Sequence, residues 1–87
     1  MRLPFSRWRG GNFSKTVLRK ANLQGSDLHG ANFTEADLSE ANLAGADLTQ
    51  ANFTRAILTK ADLRGAILTE AIFQEADLRE TSLDPSG

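Results

Sequence analysis

The chain has 87 residues, 40% of them hydrophobic and 24% charged, with one histidine, no cysteine and a formal net charge of −1. That length holds one domain, the lack of cysteine excludes a disulfide framework, and no apolar run reaches the length of a membrane-spanning helix. The near-neutral total conceals a gradient. Residues 1–30 carry six basic and one acidic side chain, net +5, and residues 31–87 carry four basic and ten acidic, net −6.

Residues 1–10 stand outside the pattern that dominates the rest, although Leu3 and Trp8 keep phase with Phe13 and Phe5 adds a third large apolar group. They are expected to fold over an open first coil as a cap. Arg2, Arg7 and Arg9, interleaved with Trp8, are also candidate contacts for an acidic partner, a membrane surface or nucleic acid. The segment lacks the continuous apolar stretch of a secretory signal, and with no cysteine the expected location is cytoplasmic.

From residue 11 to residue 83 the chain repeats every five residues: Ala, then Asp or Asn, then Leu or Phe, then two variable positions, as in Ala31-Asn32-Phe33-Thr34-Glu35 and Ala36-Asp37-Leu38-Ser39-Glu40. An α-helix is excluded, because a five-residue step advances about 140° net and scatters the leucines around the axis. A second period of twenty lies over the first. Phenylalanine recurs at 13, 33, 53 and 73, and glycine at 25, 45 and 65, so four pentads make one turn of a stacked coil. The third position of each pentad then points inward. The predicted core is Phe13, Phe33, Phe53 and Phe73 with Leu38, Leu43, Leu48, Leu58, Leu63 and Leu68. The alanine two residues earlier also faces in, and the Asp or Asn between them faces out.

Charge supports the period independently. With coils stacked about 4.8 Å apart, Lys15, Glu35, Arg55 and Glu75 form one column and Lys20, Glu40, Lys60 and Glu80 another, each alternating in sign. Opposite charges facing across neighbouring strands contribute about 0.2–1 kcal/mol each. Ile57, Ile67 and Ile72 break the Asp/Asn rule on three different sides of the coil. Isoleucine favours strands, and Ile57 and Ile72 are candidate protein contacts. Thr81-Ser82-Leu83 is a degenerate pentad, residues 84–87 end the pattern, and Pro85, which donates no ladder hydrogen bond, suits a stop. The last coil would leave core side chains and backbone edges uncovered, and a two-fold pairing of such ends would make a homodimer.

The sequence resembles the pentapeptide repeat family, whose consensus matches residues 11–83. The resemblance implies an all-β fold, a right-handed quadrilateral β-helix or solenoid, here of about three and a half coils. Some members are DNA mimics that bind type II topoisomerases. Duplex DNA carries one charge per ~1.7 Å of axis, so the ~17 Å spanned by three and a half coils would require about −10; the acidic segment has −6. The expected function is therefore a non-enzymatic structural or protein-interaction module with an unidentified protein partner, and a dimeric DNA-mimicking topoisomerase inhibitor is the alternative. His29 stands at an outward position, the stacked Asp27 and Asp47 are explained by the repeat, and Gly25, Gly45 and Gly65 are spaced by the coil rather than clustered in a phosphate loop. No catalytic, cofactor or metal residues are assigned.

Overall fold

The computed structural model describes residues 1–84, which wind as a square coil of twenty residues per turn. Among the described residues all 13 bridges are parallel and join partners twenty apart, from Arg2 with Asn22 to Asp62 with Ser82. The coils comprise residues 1–20, 21–40, 41–60 and 61–80, and residues 81–84 begin a fifth. Four coils of similar length and width make a block of 26 × 24 × 24 Å.

Each pentad is one side of the square, and its corner is a four-residue turn. The first-position amide of the next pentad donates to the third-position carbonyl, as from Ala36 to Phe33 and from Ala41 to Leu38, both at 3.0 Å. The fifth residue inside that turn has positive φ throughout: five glycines do, and so do eleven other residues, among them Lys15, Glu35, Glu40 and Arg55. Such a backbone is uncommon outside glycine. Gly25 answers a second constraint as well, because the Phe5 ring lies across it and an added Cβ would meet ring carbons at 2.4 and 2.5 Å.

The second-, third- and fifth-position donors bond between coils. Third- and fifth-position amides donate to the coil above, as from Phe33 to Asn52 (2.7 Å) and from Glu35 to Thr54 (2.9 Å). Second-position amides donate to the coil below, as from Asn32 to Gly11 (2.8 Å). This leaves the alanines and the large third-position side chains inside. Phe33, Phe53, Leu38, Leu43, Leu48 and Leu58 are fully buried and Leu63 nearly so. Phe13, Leu68 and Phe73 pack against that core but are only partly buried, because they lie in the terminal coils. The four phenylalanine rings stack along the axis with centroids 5.1, 4.9 and 5.0 Å apart and planes within 10°.

Two expectations are corrected. Residues 1–10 are no cap; they form the first two sides of the first coil, with the Asn22 amide donating to Met1 and the Asp27 amide to Ser6, both at 2.8 Å. The coil count accordingly rises from three and a half to just over four. The segment was hidden because Met1 and Ser6 stand where later pentads have alanine, and Arg2 and Arg7 where they have Asp or Asn, whereas the ladder bonds are made by backbone and need neither. Ser26, also at an alanine position, is fully buried. Its hydroxyl accepts from the Ser6 amide at 3.1 Å and donates to the Leu3 carbonyl at 2.8 Å, which ties this segment down. The expected stop at Pro85 lies outside the described residues.

Truncation of an inner member of the aromatic column should cost far more than truncation at its end. Phe53→Ala is expected to lose about 3–5 kcal/mol, as for a fully buried phenylalanine, and Phe73→Ala about half of that, measured as free energies of urea unfolding.

Candidate interaction surface

The second and fourth positions hold the outward polar groups, and they are coupled. In ten pentads the second-position Asp or Asn accepts, through Oδ1, the amide of the residue two further on, for example Thr34 to Asn32 and Thr49 to Asp47, both at 3.0 Å. Where the fourth residue is Thr or Ser, its hydroxyl can donate to the same oxygen, at 2.6 Å for Thr34 and 2.7 Å for Ser39 and Thr49. This is an Asx turn reinforced by a hydroxyl. It gives the fourth amide a partner, and it explains the Asp/Asn rule that outward orientation alone left unexplained. The signal was present in the sequence as the triplets Asn32-Phe33-Thr34, Asp37-Leu38-Ser39, Asp47-Leu48-Thr49 and Asn52-Phe53-Thr54.

The same bonds set carboxylate acidity. The Ser39 hydroxyl holds Asp37, and the Thr49 hydroxyl Asp47, below the ordinary carboxylate value. For Asp62 and Asp77 the principal cause is hydrogen bonding from the Arg64 and Arg79 guanidinium groups, which lie at 2.8 and 2.6 Å.

Val17, Ile57, Ile67 and Ile72 forgo this turn, and all four are exposed. The three isoleucines bridge to Asp37, Asp47 and Asn52 respectively, so they lie in three separate columns, and Ile57 and Ile72 share no stripe. Of the charge columns, one pair closes: Arg55 meets Glu35 at 3.3 Å. Glu40 is reached instead by Arg19, at 3.6 Å, and Arg19 also approaches Asp37 at 3.8 Å. These pairs are exposed and contribute little individually.

The basic residues at the start of the chain do not converge on one patch. Arg9 is engaged, its Nε donating to Asp27 at 3.2 Å and its Nη1 lying 3.0 Å from His29 Nδ1, whereas Arg2 and Arg7 stand in second positions on adjacent sides. Trp8 is 38% exposed and meets the Phe13 ring edge-on at 6.0 Å. The strongest asymmetry lies between the two ends. Coil 1 carries six basic residues and no acidic one; residues 61–84 carry six acidic and two basic, net −4. At the acidic end a recess of about 200 Å³ opens between Leu63, Ala66, Leu68, Leu83 and Asp84. Among the described residues no group of acidic residues and histidine is arranged to hold a metal, and no helix is long and apolar enough to cross a membrane.

A square coil of pentads with left-handed corners and polar columns defines the class of right-handed quadrilateral β-helices. The chain belongs to the pentapeptide repeat family: the model described as Pentapeptide repeats matches eight copies over residues 3–34, 31–69 and 46–84. Among solved structures it is similar to the pentapeptide repeat protein Rfr23 from the cyanobacterium Cyanothece 51142, at 31% identity and a TM-score of 0.92, over 95% of this chain and 57% of that one. It is similar to HetL, a pentapeptide repeat protein involved in heterocyst differentiation regulation from the cyanobacterium Nostoc sp. strain PCC 7120, at 37% identity and a TM-score of 0.65, over 99% of this chain and 42% of that one. It is also similar to QnrB1, a plasmid-mediated fluoroquinolone resistance protein, at 29% identity and a TM-score of 0.80, over 92% of this chain and 38% of that one. The chain thus spans between about two fifths and three fifths of the length of these relatives. Among curated protein sequences none matches significantly.

Two outcomes follow from the Asx turns. Ile57→Asn restores an acceptor for the Thr59 amide and should raise stability by about 0.5–1 kcal/mol, read from the denaturation midpoint. A carboxylate whose folded pKa is depressed stabilises the fold above its unfolded pKa of roughly 4, and that contribution is lost as pH falls through the folded value. Asp37→Asn/Asp47→Asn, which keeps the accepting oxygens, should leave stability at pH 7 within about 0.5 kcal/mol and flatten the loss of melting temperature below pH 4.

Proposed function

We propose that the chain is a non-enzymatic structural or protein-interaction module that presents rows of fixed polar side chains to a protein partner. Pentapeptide repeat proteins are generally modules of this kind. The observation that carries the proposal is the double anchoring of the second-position oxygens by the amide and hydroxyl two residues on. It engages the outward Asp and Asn groups in holding corners and fixes their directions before any partner arrives, which lowers the ordering cost of binding. A cytoplasmic location belongs to the same proposal, as does a bacterial source, for which the likeness to cyanobacterial proteins speaks.

The alternative, a DNA-mimicking inhibitor of a type II topoisomerase acting as a dimer, draws on the likeness to QnrB1. Charge weighs against it. Mimicry requires a continuous acidic face, whereas here Arg55 meets Glu35, Arg64 meets Asp62, and Arg79 meets Asp77, and the first coil is wholly basic.

A pull-down from lysate tests the proposal. The intact chain should retain a stoichiometric protein partner, and Arg2→Ala/Arg7→Ala/Arg9→Ala, which leaves the first coil in place, should still retain it if the coil faces make the contact. A partner lost with the three arginines would move the site to the basic end. Salt-sensitive inhibition of DNA supercoiling by the isolated chain would favour the mimic instead.

A further inference from the structure

We propose that two copies of this chain pack side by side and antiparallel, through the side formed by residues 16–20, 36–40, 56–60 and 76–80, about a two-fold axis at right angles to the coil axis. This deepens the interaction reading by naming one partner as a second copy, and it rests on that reading only in treating the coil sides as contact surfaces. The contact runs along the flank of the block and uses neither end.

The corner charges supply the first ground. This side is framed by two fifth-position columns, Lys15, Glu35, Arg55 and Glu75 along one edge and Lys20, Glu40, Lys60 and Glu80 along the other, and both alternate in sign in the same phase. No other side has that frame, because the remaining corners hold Phe5, Gly25, Gly45 and Gly65, and Gly10, Gly30, Gln50 and Glu70. The coils stack without spiralling, as the phenylalanine rings show by lying parallel within 10° from coil to coil. Within the chain the alternation is largely unused. Arg55 closes on Glu35 and Arg19 on Glu40, whereas Lys15, Lys20, Lys60, Glu75 and Glu80 have no ion-pair partner among the described residues.

Symmetry fixes the register. A two-fold lying across the columns keeps each column opposite itself, and when it passes between coils 2 and 3 it sets coil 1 against the partner's coil 4 and coil 2 against the partner's coil 3. Lys15 then faces the partner's Glu75 and Lys20 the partner's Glu80. Arg55 faces the partner's Glu35 and Lys60 the partner's Glu40, and every pair occurs twice. Parallel copies related by a two-fold along the coil axis would instead set the Lys15 column against the partner's Lys20 column, like against like at every level. The six basic and six acidic groups of this side and its edges sum to zero, so antiparallel copies approach without net repulsion. One like pair faces across the joint, Arg19 with the partner's Arg79. Each is already held within its own chain, Arg19 by Asp37 at 3.8 Å and Glu40 at 3.6 Å, Arg79 by Asp77 at 2.6 Å.

The apolar groups interleave in the same register. Val17 and Ile57 are both exposed and stand in one column of this side, separated by Asp37, which bridges to each. Ile57 lies half a coil spacing from the two-fold, so it meets the partner's Ile57 across the axis, and the partner's Ile57 reaches the level of Asp37. The joint thus gains a continuous row of Val17, the partner's Ile57, Ile57 and the partner's Val17, which neither copy has alone. Both positions forgo the Asx-turn bond, and this row is what the exchange supplies. A side about 24 Å across buries on the order of 1,000 Å² in total, at the lower bound of specific interfaces, so the association is reversible and dependent on concentration.

Sedimentation of the intact chain over a concentration series tests the proposal. The weight-average mass should rise with concentration, level at two copies and fall as salt is raised. Lys60→Glu alone and Glu40→Lys alone each set two like-charged pairs across the joint and should weaken association by about tenfold. An equimolar mixture of the two variants should recover it, because in the mixed dimer both pairs are again of opposite sign. Ile57→Arg, whose two copies meet at the axis, should weaken association by a similar factor. A monomer at every concentration overturns the proposal, as does growth beyond two copies. So does a dimer whose charge variants fail to recover on mixing, since residues 40 and 60 would then not face each other. If a charge variant loses its circular dichroism signal, Ile57→Arg decides, and a dimer indifferent to that change refutes the contact. A monomer that still captures a different protein from lysate refutes only this dimer, and a dimer that captures none upholds it while counting against the wider interaction reading.

Discussion

The structure depends on a corner made every five residues: a left-handed fifth residue and a hydrogen bond from the next first-position amide to the third-position carbonyl. Holding a non-glycine residue in that conformation costs about 1–3 kcal/mol, and eleven residues do so. The cost is offset collectively. Each corner aligns a side of the square with the coil below, and that alignment satisfies the second, third and fifth amides while the Asx oxygen satisfies the fourth. A full turn therefore leaves no class of amide without an acceptor, as a compact backbone requires, and the interior is left to alanine, leucine and phenylalanine.

Because the ladder is made by backbone, the fold constrains few side-chain positions. The first must be small or able to bond inside, as Ser26 and Thr81 do by donating to the Leu3 and Leu58 carbonyls. The third must be large and apolar. The fourth and fifth positions, and the second wherever the Asx turn is forgone, are free to carry partner-specific chemistry, which is why one fold serves proteins as different as HetL and QnrB1, and why function must be sought in outward side chains rather than in the coil. In this chain those side chains are locally neutralised along the faces and segregated by sign between the ends.

The period, the inward positions and the columns were legible because Phe13, Phe33, Phe53 and Phe73 mark every fourth pentad. Residues 1–10 were not, since Met1 and Ser6 erase the alanine signal and Arg2 and Arg7 the Asp/Asn signal while leaving the backbone free to pair. Partial exposure of Phe13, Leu68 and Phe73 follows from their place in the outer coils, where each lacks a neighbour on one side. Val17, at a second position like the isoleucines, was overlooked for a related reason: its pentad, Thr16-Val17-Leu18, has neither alanine nor Asp/Asn. The ion pairs were the least legible feature, because long exposed side chains choose among several neighbours and Arg19 takes Asp37 and Glu40 together.

Residue-resolved amide hydrogen exchange addresses the central claim that one twenty-residue register runs through the described residues from the first coil onward. The account predicts protection of Asn22 and Asp27, whose amides bond to Met1 and Ser6, and of Leu48, Phe53 and Leu58, whose amides bond to the coil above. Phe73 and Leu78, the same positions as Phe53 and Leu58 one coil later, should exchange freely. Rapid exchange at Asn22 and Asp27 while the inner coils remain protected would contradict it, because residues 1–10 would then not be part of the coil.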